Sequence, residues 1–140
     1  MVFMSARKTL QCSRCGTGIY NNTKTGMCYQ CYVADNEEKT IAKWLATGDS
    51  GHQPISTIKG PVRRYLYKDQ DNCCAICGMS NEWNGKDIKF VLDHINGNAA
   101  DNRRENLRLV CPNCDSQLDT FKSKNKNSAR TYRKPKNNDN

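Results

Sequence analysis

Eight of the nine cysteines fall into four Cys-x-x-Cys pairs: Cys12 and Cys15, Cys28 and Cys31, Cys74 and Cys77, Cys111 and Cys114. Two intervening residues is the spacing at which a tight turn aims both sulfurs at one ion, and Gly16 and Gly78, directly after two of the pairs, supply the backbone freedom that such a turn uses. Four pairs make two sites of four thiolates each, which is a zinc ligand set. Disulfides, an iron-sulfur cluster and a thioredoxin-like redox pair draw on the same residue type. The start of the chain shows no apolar stretch long enough for a secretory signal, so a reducing compartment and zinc are expected, with Cys73 left over.

A second group of reactive residues lies between and beyond the later pairs. The mostly apolar run Ile88 to Leu92 reads as a strand that delivers Asp93 and His94 at its end, where an Asn-rich, Gly-containing loop begins. Asn106 follows twelve residues after His94, and Asp115 nine residues after Asn106, in the first turn of a helix that Pro112 opens and Cys111 and Cys114 anchor. Adjacent strand residues point to opposite faces, so Asp93 and His94 share a site only at a strand end or in a bulge.

The elements that must position these residues are short. The first two cysteine pairs enclose twelve residues with a polar turn at Asn21, Asn22 and Thr23, which predicts a small zinc ribbon or knuckle within residues 1–34. Residues 35–59 read as a helix and linker: Asp35 and Glu38 can form a capping box, Ile41, Trp44 and Leu45 recur at helical spacing as core, and Gly48 can end the helix. The loop that follows contains His52, read as a solvated side chain. A second helix is expected near Pro61, with Val62, Tyr65 and Leu66 inward and Arg63, Arg64 and Lys68 outward. Residues 60–121 would form the main core, and the 33 residues between Cys77 and Cys111 have room for a hairpin and a loop. From 122 to 140 the chain is almost devoid of apolar residues and reads as a basic, disordered tail.

A chain of 140 residues with 36% apolar content has little material for a large core, so the zinc ions should act as staples. The formal charge of +8 falls to about +4 if eight thiolates bind two zinc ions. Its distribution says more than its size. Residues 1–34 carry four Lys or Arg and no acid, and residues 122–136 carry seven and none, whereas residues 60–120 hold eight bases against nine acids. Basic ends around a neutral middle suit a nucleic acid partner and a central site that does more than neutralise phosphates. No run approaches the roughly 18 apolar residues of a transmembrane helix, which excludes a membrane protein and leaves the cytoplasm as the expected location.

Residues 60–121 resemble the HNH endonuclease family. The resemblance is carried by the knuckle Cys74 to Gly78, the Asp93-His94 pair, the stretch DNRRENL with Asn106, and CPNCDSQLDTF; the helices around IAKWL and VRRYLY look like those of small phage HNH proteins, some of which carry an extra N-terminal zinc knuckle. It implies an α+β fold, a zinc-stabilised, treble-clef-like ββα-metal core with an N-terminal four-cysteine ribbon and short helices between. It also implies a metal-dependent DNA endonuclease acting on double-stranded DNA in a bacterial host cytoplasm. On this resemblance His94 is the general base that draws a proton from water, and Asn106 orients its imidazole. Asp93 binds one divalent cation, Mg2+ or Mn2+, that contacts the scissile phosphate, and the products carry 5'-phosphate and 3'-hydroxyl ends.

Asp115 departs from the family pattern, which has His or Asn at that position. An Asp oxygen is a hard ligand suited to Mg2+ or Mn2+, so Asp115 can complete the cation site with Asp93. It can equally be a helix-start acid facing the positive end of the helix dipole. The two functions that follow are an active nuclease and a DNA-binding zinc protein, regulatory or packaging-related, on a nuclease scaffold whose catalysis has lapsed.

Overall fold

The computed structural model describes residues 9–20, 23–51 and 60–127. The chain divides into two compact units, Met1–Lys39 and Thr40–Asn140. His52 and most of its loop lie outside the described residues.

In the first unit β1 (Thr9–Gln11) pairs antiparallel with β2 (Gly18–Tyr20), with Leu10 opposite Ile19. The turn between them is a zinc knuckle in geometry: the Cys12 N–H donates to Thr17 O at 2.8 Å and the Gly16 N–H to Cys12 O at 2.9 Å, which requires φ 74° at Gly16. Helix α1 (Tyr29–Thr47) begins directly after Cys28, so Cys31 rides on its first turn. The capping box expected at Asp35 therefore does not form. Asp35 lies within the helix and pairs with Lys39 one turn on, at 2.6 Å. The cause is the second cysteine pair, which starts the helix itself: Cys28 O accepts the Tyr32 N–H at 2.9 Å.

The second unit has its core around Trp44, Val62, Leu66, Cys74, Phe90, Leu107, Leu109, Val110 and Cys111. Trp44 is the residue of α1 that is fully buried, packing edge-on against Tyr65 of α2 (Pro61–Asp69) with ring centroids 5.5 Å apart. Ile41 packs at the edge of this cluster, whereas Leu45, expected inside, is 47% exposed. Gly48 ends the helix at φ 73°. A short hairpin of β3 (Glu82–Trp83) and β4 (Lys86–Asp87) turns through Asn84 and Gly85, both at positive φ, the backbone a two-residue hairpin turn demands.

The central element is a second hairpin, β5 (Val91–His94) against β6 (Leu107–Val110), followed by α3 (Pro112–Ser116). Its register places Asp93 opposite Arg108 and His94 opposite Leu107. Leu107, Leu109 and Val110 are buried, fixing the sheet to the core. Cysteines of the second four-cysteine group belong to the same core: Cys111 caps α3, and its N–H donates to Cys74 Sγ at 3.2 Å. The protein is thus a small α+β fold with two four-cysteine metal-binding groups.

The expected tail boundary at 122 is corrected by the chain's return. Residues 122–124 form a 3-10 turn, and Asn125 Nδ2 donates to Gly97 O at 2.7 Å. Asn127 Nδ2 reaches Asn96 O at 3.3 Å. These amide side chains are polar but satisfy loop carbonyls, which a reading by apolar content overlooks. Residues 128–140 lie outside the described residues.

Candidate active site and metal centres

Both four-cysteine groups are assembled. The ligand sulfurs of Cys12, Cys15, Cys28 and Cys31 lie within 4.8 Å of one another, as do those of Cys74, Cys77, Cys111 and Cys114. Across the pairs, the sulfurs of Cys15 and Cys28 lie 3.7 Å apart and those of Cys77 and Cys111 3.8 Å. A tetrahedron with metal–sulfur bonds of about 2.3 Å has sulfur–sulfur edges of about 3.8 Å, whereas a disulfide needs about 2.05 Å. The spacing suits zinc. Backbone N–H donors bring Cys12 down to about 6. Burial pushes the Cys74 thiol up, but N–H groups of Cys111, Cys77 and Ile76 outweigh it and bring it to about 6. Neighbouring thiols, Cys15 and Cys28 foremost, push Cys31 up to about 12, and burial with the surrounding thiols does the same to Cys114. Each cluster therefore resists carrying four negative charges until a cation compensates them.

The cleft that could do chemistry is lined by none of the eight grouped cysteines. Asp93, His94 and Asp115 line one cavity of about 270 Å³, together with Gly97, Lys122 and Asn125. At about 30 Å³ per water this holds roughly nine waters, room for a hydrated cation and a phosphate group. Asp93 and His94 reach it from one strand because His94 is the last residue of β5 and the chain turns there, with Gly97 N–H donating to His94 O at 2.7 Å. Asp115 enters from α3, held by the cysteines on either side of Pro112. Burial pushes the Asp115 carboxyl up, and the nearby Asp93 adds to this while Lys122 opposes it. Two carboxylates facing one cleft, one of them reluctant to ionise, are hard oxygen donors of the kind that could hold a divalent cation.

Arg108 was not among the residues singled out from the sequence. Its Nε donates to Asp93 Oδ2 at 2.7 Å, and Asp93 is only 7% exposed. The β5–β6 register, with Asp93 opposite Arg108, produces this contact.

Asn106 stands elsewhere than expected. Its side chain accepts from Asn96 N–H at 3.0 Å and donates to Asn96 Oδ1 at 2.9 Å and Asp101 O at 2.8 Å. Asn106 therefore pins the two ends of the loop after His94. The side chain that meets the imidazole is Asn102, whose Oδ1 lies 2.8 Å from His94 Nε2. The same loop is tied by Arg103, which grips Asp101 through two bonds of 2.8 Å and holds its carboxyl down to about 2. No periodicity marks Asn102 in the sequence; only closure of the loop brings it back.

Residues 83–113 match the family model described as HNH endonuclease. The span contains Asp93, His94, Asn102, Asn106 and Arg108 and stops two residues before Asp115. The chain is 33% identical over 91 residues to the H-N-H endonuclease F-TflIV of Escherichia phage T5, an alignment that covers 65% of this chain and 38% of that protein. The chain thus spans well under half the length of the relative it matches. No solved structure matches it.

Proposed function

We propose that this chain, which belongs with the HNH endonucleases through residues 83–113, hydrolyses phosphodiester bonds of double-stranded DNA. The observation that carries the reading is the convergence of Asp93, His94 and Asp115 on one cleft beside a structural four-cysteine site. His94 accepts a proton from the attacking water, the task for which an imidazole is suited near neutral pH. Asp93 and Asp115 hold one divalent cation, Mg2+ or Mn2+, and zinc fills both cysteine groups. When bound, the cation supplies Lewis-acid stabilisation at the scissile phosphate and the departing oxygen. Lys122 at the cleft wall offers a further positive charge to the phosphate. The products would carry 5'-phosphate and 3'-hydroxyl ends. No helix among the described residues is long and apolar enough to cross a membrane, and a phage relative fits action in a bacterial host cytoplasm.

One observation favours the second reading, a DNA-binding protein on a lapsed nuclease scaffold: Arg108 already neutralises Asp93. Supercoiled plasmid incubated with zinc-loaded protein, with and without Mg2+, separates the two. Nicked or linear product with Mg2+ alone supports the nuclease. His94→Ala should reduce cleavage by about 100- to 10,000-fold while DNA binding and zinc content persist. Binding without cleavage by the wild-type protein at any Mg2+ or Mn2+ concentration would establish the second reading.

A further inference from the structure

We infer that Asn102, held from behind by Trp44, is the positioning residue that fixes the tautomer and direction of the His94 imidazole. The inference rests on the reading of His94 as the base and goes beyond it by deciding which ring nitrogen does the work. Asn102 Oδ1 and His94 Nε2 lie 2.8 Å apart, and an amide oxygen can only accept. Nε2 is therefore the donor, and in the neutral ring the lone pair sits on Nδ1. A second hydrogen bond fixes the Asn102 backbone: Trp44 Nε1 donates to the main-chain carbonyl of Asn102 at 2.6 Å, across 58 residues of chain. Trp44 is fully buried and Asn102 is 7% exposed, so neither partner has water as an alternative.

The chain of contacts thus runs from the core of the second unit through Trp44 and Asn102 to the ring of His94. It explains why Asn106 need not touch the imidazole. Asn106 closes the loop that carries Asn102, and Asn102 makes the contact. In the neutral ring a proton held on Nε2 leaves the lone pair on Nδ1, the acceptor that a general base requires. The arrangement differs from a histidine merely packed in a wall, because its direction is set by an acceptor that is itself immobilised.

The experiment uses the zinc-loaded full chain. The sequence has two histidines, so His52→Ala leaves a single imidazole to observe by nitrogen NMR. The His52→Ala protein should show a one-bond proton correlation on Nε2 of His94, slow enough in exchange to be visible, with Nδ1 bare. In that background Asn102→Asp, which retains an accepting oxygen, should keep the Nε2 proton signal. Asn102→Ala should lose it to exchange with water, and its kcat for plasmid cleavage should fall about 10- to 100-fold with KM for DNA unchanged. Trp44→Phe removes the indole donor and should weaken the same signal with Asn102 still present. A proton found on Nδ1 with Nε2 bare overturns the inference, and that spectrum needs no Asn102 variant to fold. Full Nε2 protection or wild-type kcat in Asn102→Ala overturns it as well, while an inactive His94→Ala alongside leaves the nuclease reading standing. Wild-type cleavage by His94→Ala instead removes the base itself, a failure of the proposed function rather than of the hydrogen bond.

Discussion

Gly97 offers the sharpest test of how the return of residues 121–127 shapes the cleft. Its φ is 74°, and a Cβ added there would meet Asn125 Oδ1 at 2.5 Å and Thr120 Cγ2 at 3.0 Å. Gly97→Ala should therefore act twice. Holding a residue with a Cβ in the left-handed region costs about 1–2 kcal/mol. Displacing Asn125 removes its 2.7 Å hydrogen bond to Gly97 O, worth about 0.5–1.5 kcal/mol net. Together the loss is about 1.5–3.5 kcal/mol, a large share of the 5–15 kcal/mol typical of a domain. Chemical denaturation of zinc-loaded protein measures it, read from the midpoint at constant slope. The clash is isolated by a double-mutant cycle with Asn125→Ala. Alone, Asn125→Ala should cost about 0.5–1.5 kcal/mol; in the Gly97→Ala background it should cost nothing or stabilise, because it removes the obstructing oxygen. Additivity of the two changes within about 0.5 kcal/mol, or a Gly97→Ala loss below about 1 kcal/mol, would refute the close approach of these segments.

Asp115 is tested by titrating cleavage with metal: Asp115→Ala should raise the Mg2+ concentration required, and Asp115→His should retain activity with preference moved toward Ni2+ or Co2+ and metal lost below about pH 6.5. An Asp115→Ala protein that matches wild type at every Mg2+ concentration would leave the residue a purely structural role. Elemental analysis should find about two zinc ions per chain, and Cys114→Ser should unfold the second unit, seen as loss of buried Trp44 fluorescence, whereas Cys31→Ser should preserve that signal because its site lies in the other unit. Equal loss from both substitutions would show the units to be thermodynamically inseparable. Asp101 titrates near 2, below its ordinary 3.8, so the stability it contributes is present above 3.8 and lost as the pH falls toward 2. Asp101→Asn should accordingly destabilise by an amount constant from about pH 5 to 8; a difference that titrates inside that window would contradict its pairing with Arg103.

The sequence by itself grouped eight cysteines into the two sets of four that the fold assembles, and marked Asp93, His94 and Asp115, which line one cleft, as candidates for one site. Cys-x-x-Cys spacing is a local property of a turn, and the knuckles at Gly16 and Gly78 have the same hydrogen bonds, Gly16 N–H to Cys12 O and Gly78 N–H to Cys74 O, both at 2.9 Å. Asp93 and His94 were legible because they end a strand, and the strand's end is marked by the polar loop that follows. Charge pointed to nucleic acid for an equally simple reason, since sums over segments need no fold. What only the tertiary structure decided are pairings made across long stretches of chain. Trp44 meets Asn102 over 58 residues, Asn125 meets Gly97 over 28, and Arg108 meets Asp93 over 15. The start of α1 at Tyr29 rather than Asp35 belongs here too, because the helix is nucleated by the second cysteine pair and overrides the local capping signal. Likewise the polar residues 122–127 fold back because their amides satisfy loop carbonyls, a gain that exists only once the loop after His94 has closed. Local spacing fixes which atoms can bind an ion, but which amide faces a histidine depends on where two distant segments are brought together by the burial of Trp44 and the closure of the Asn106 loop.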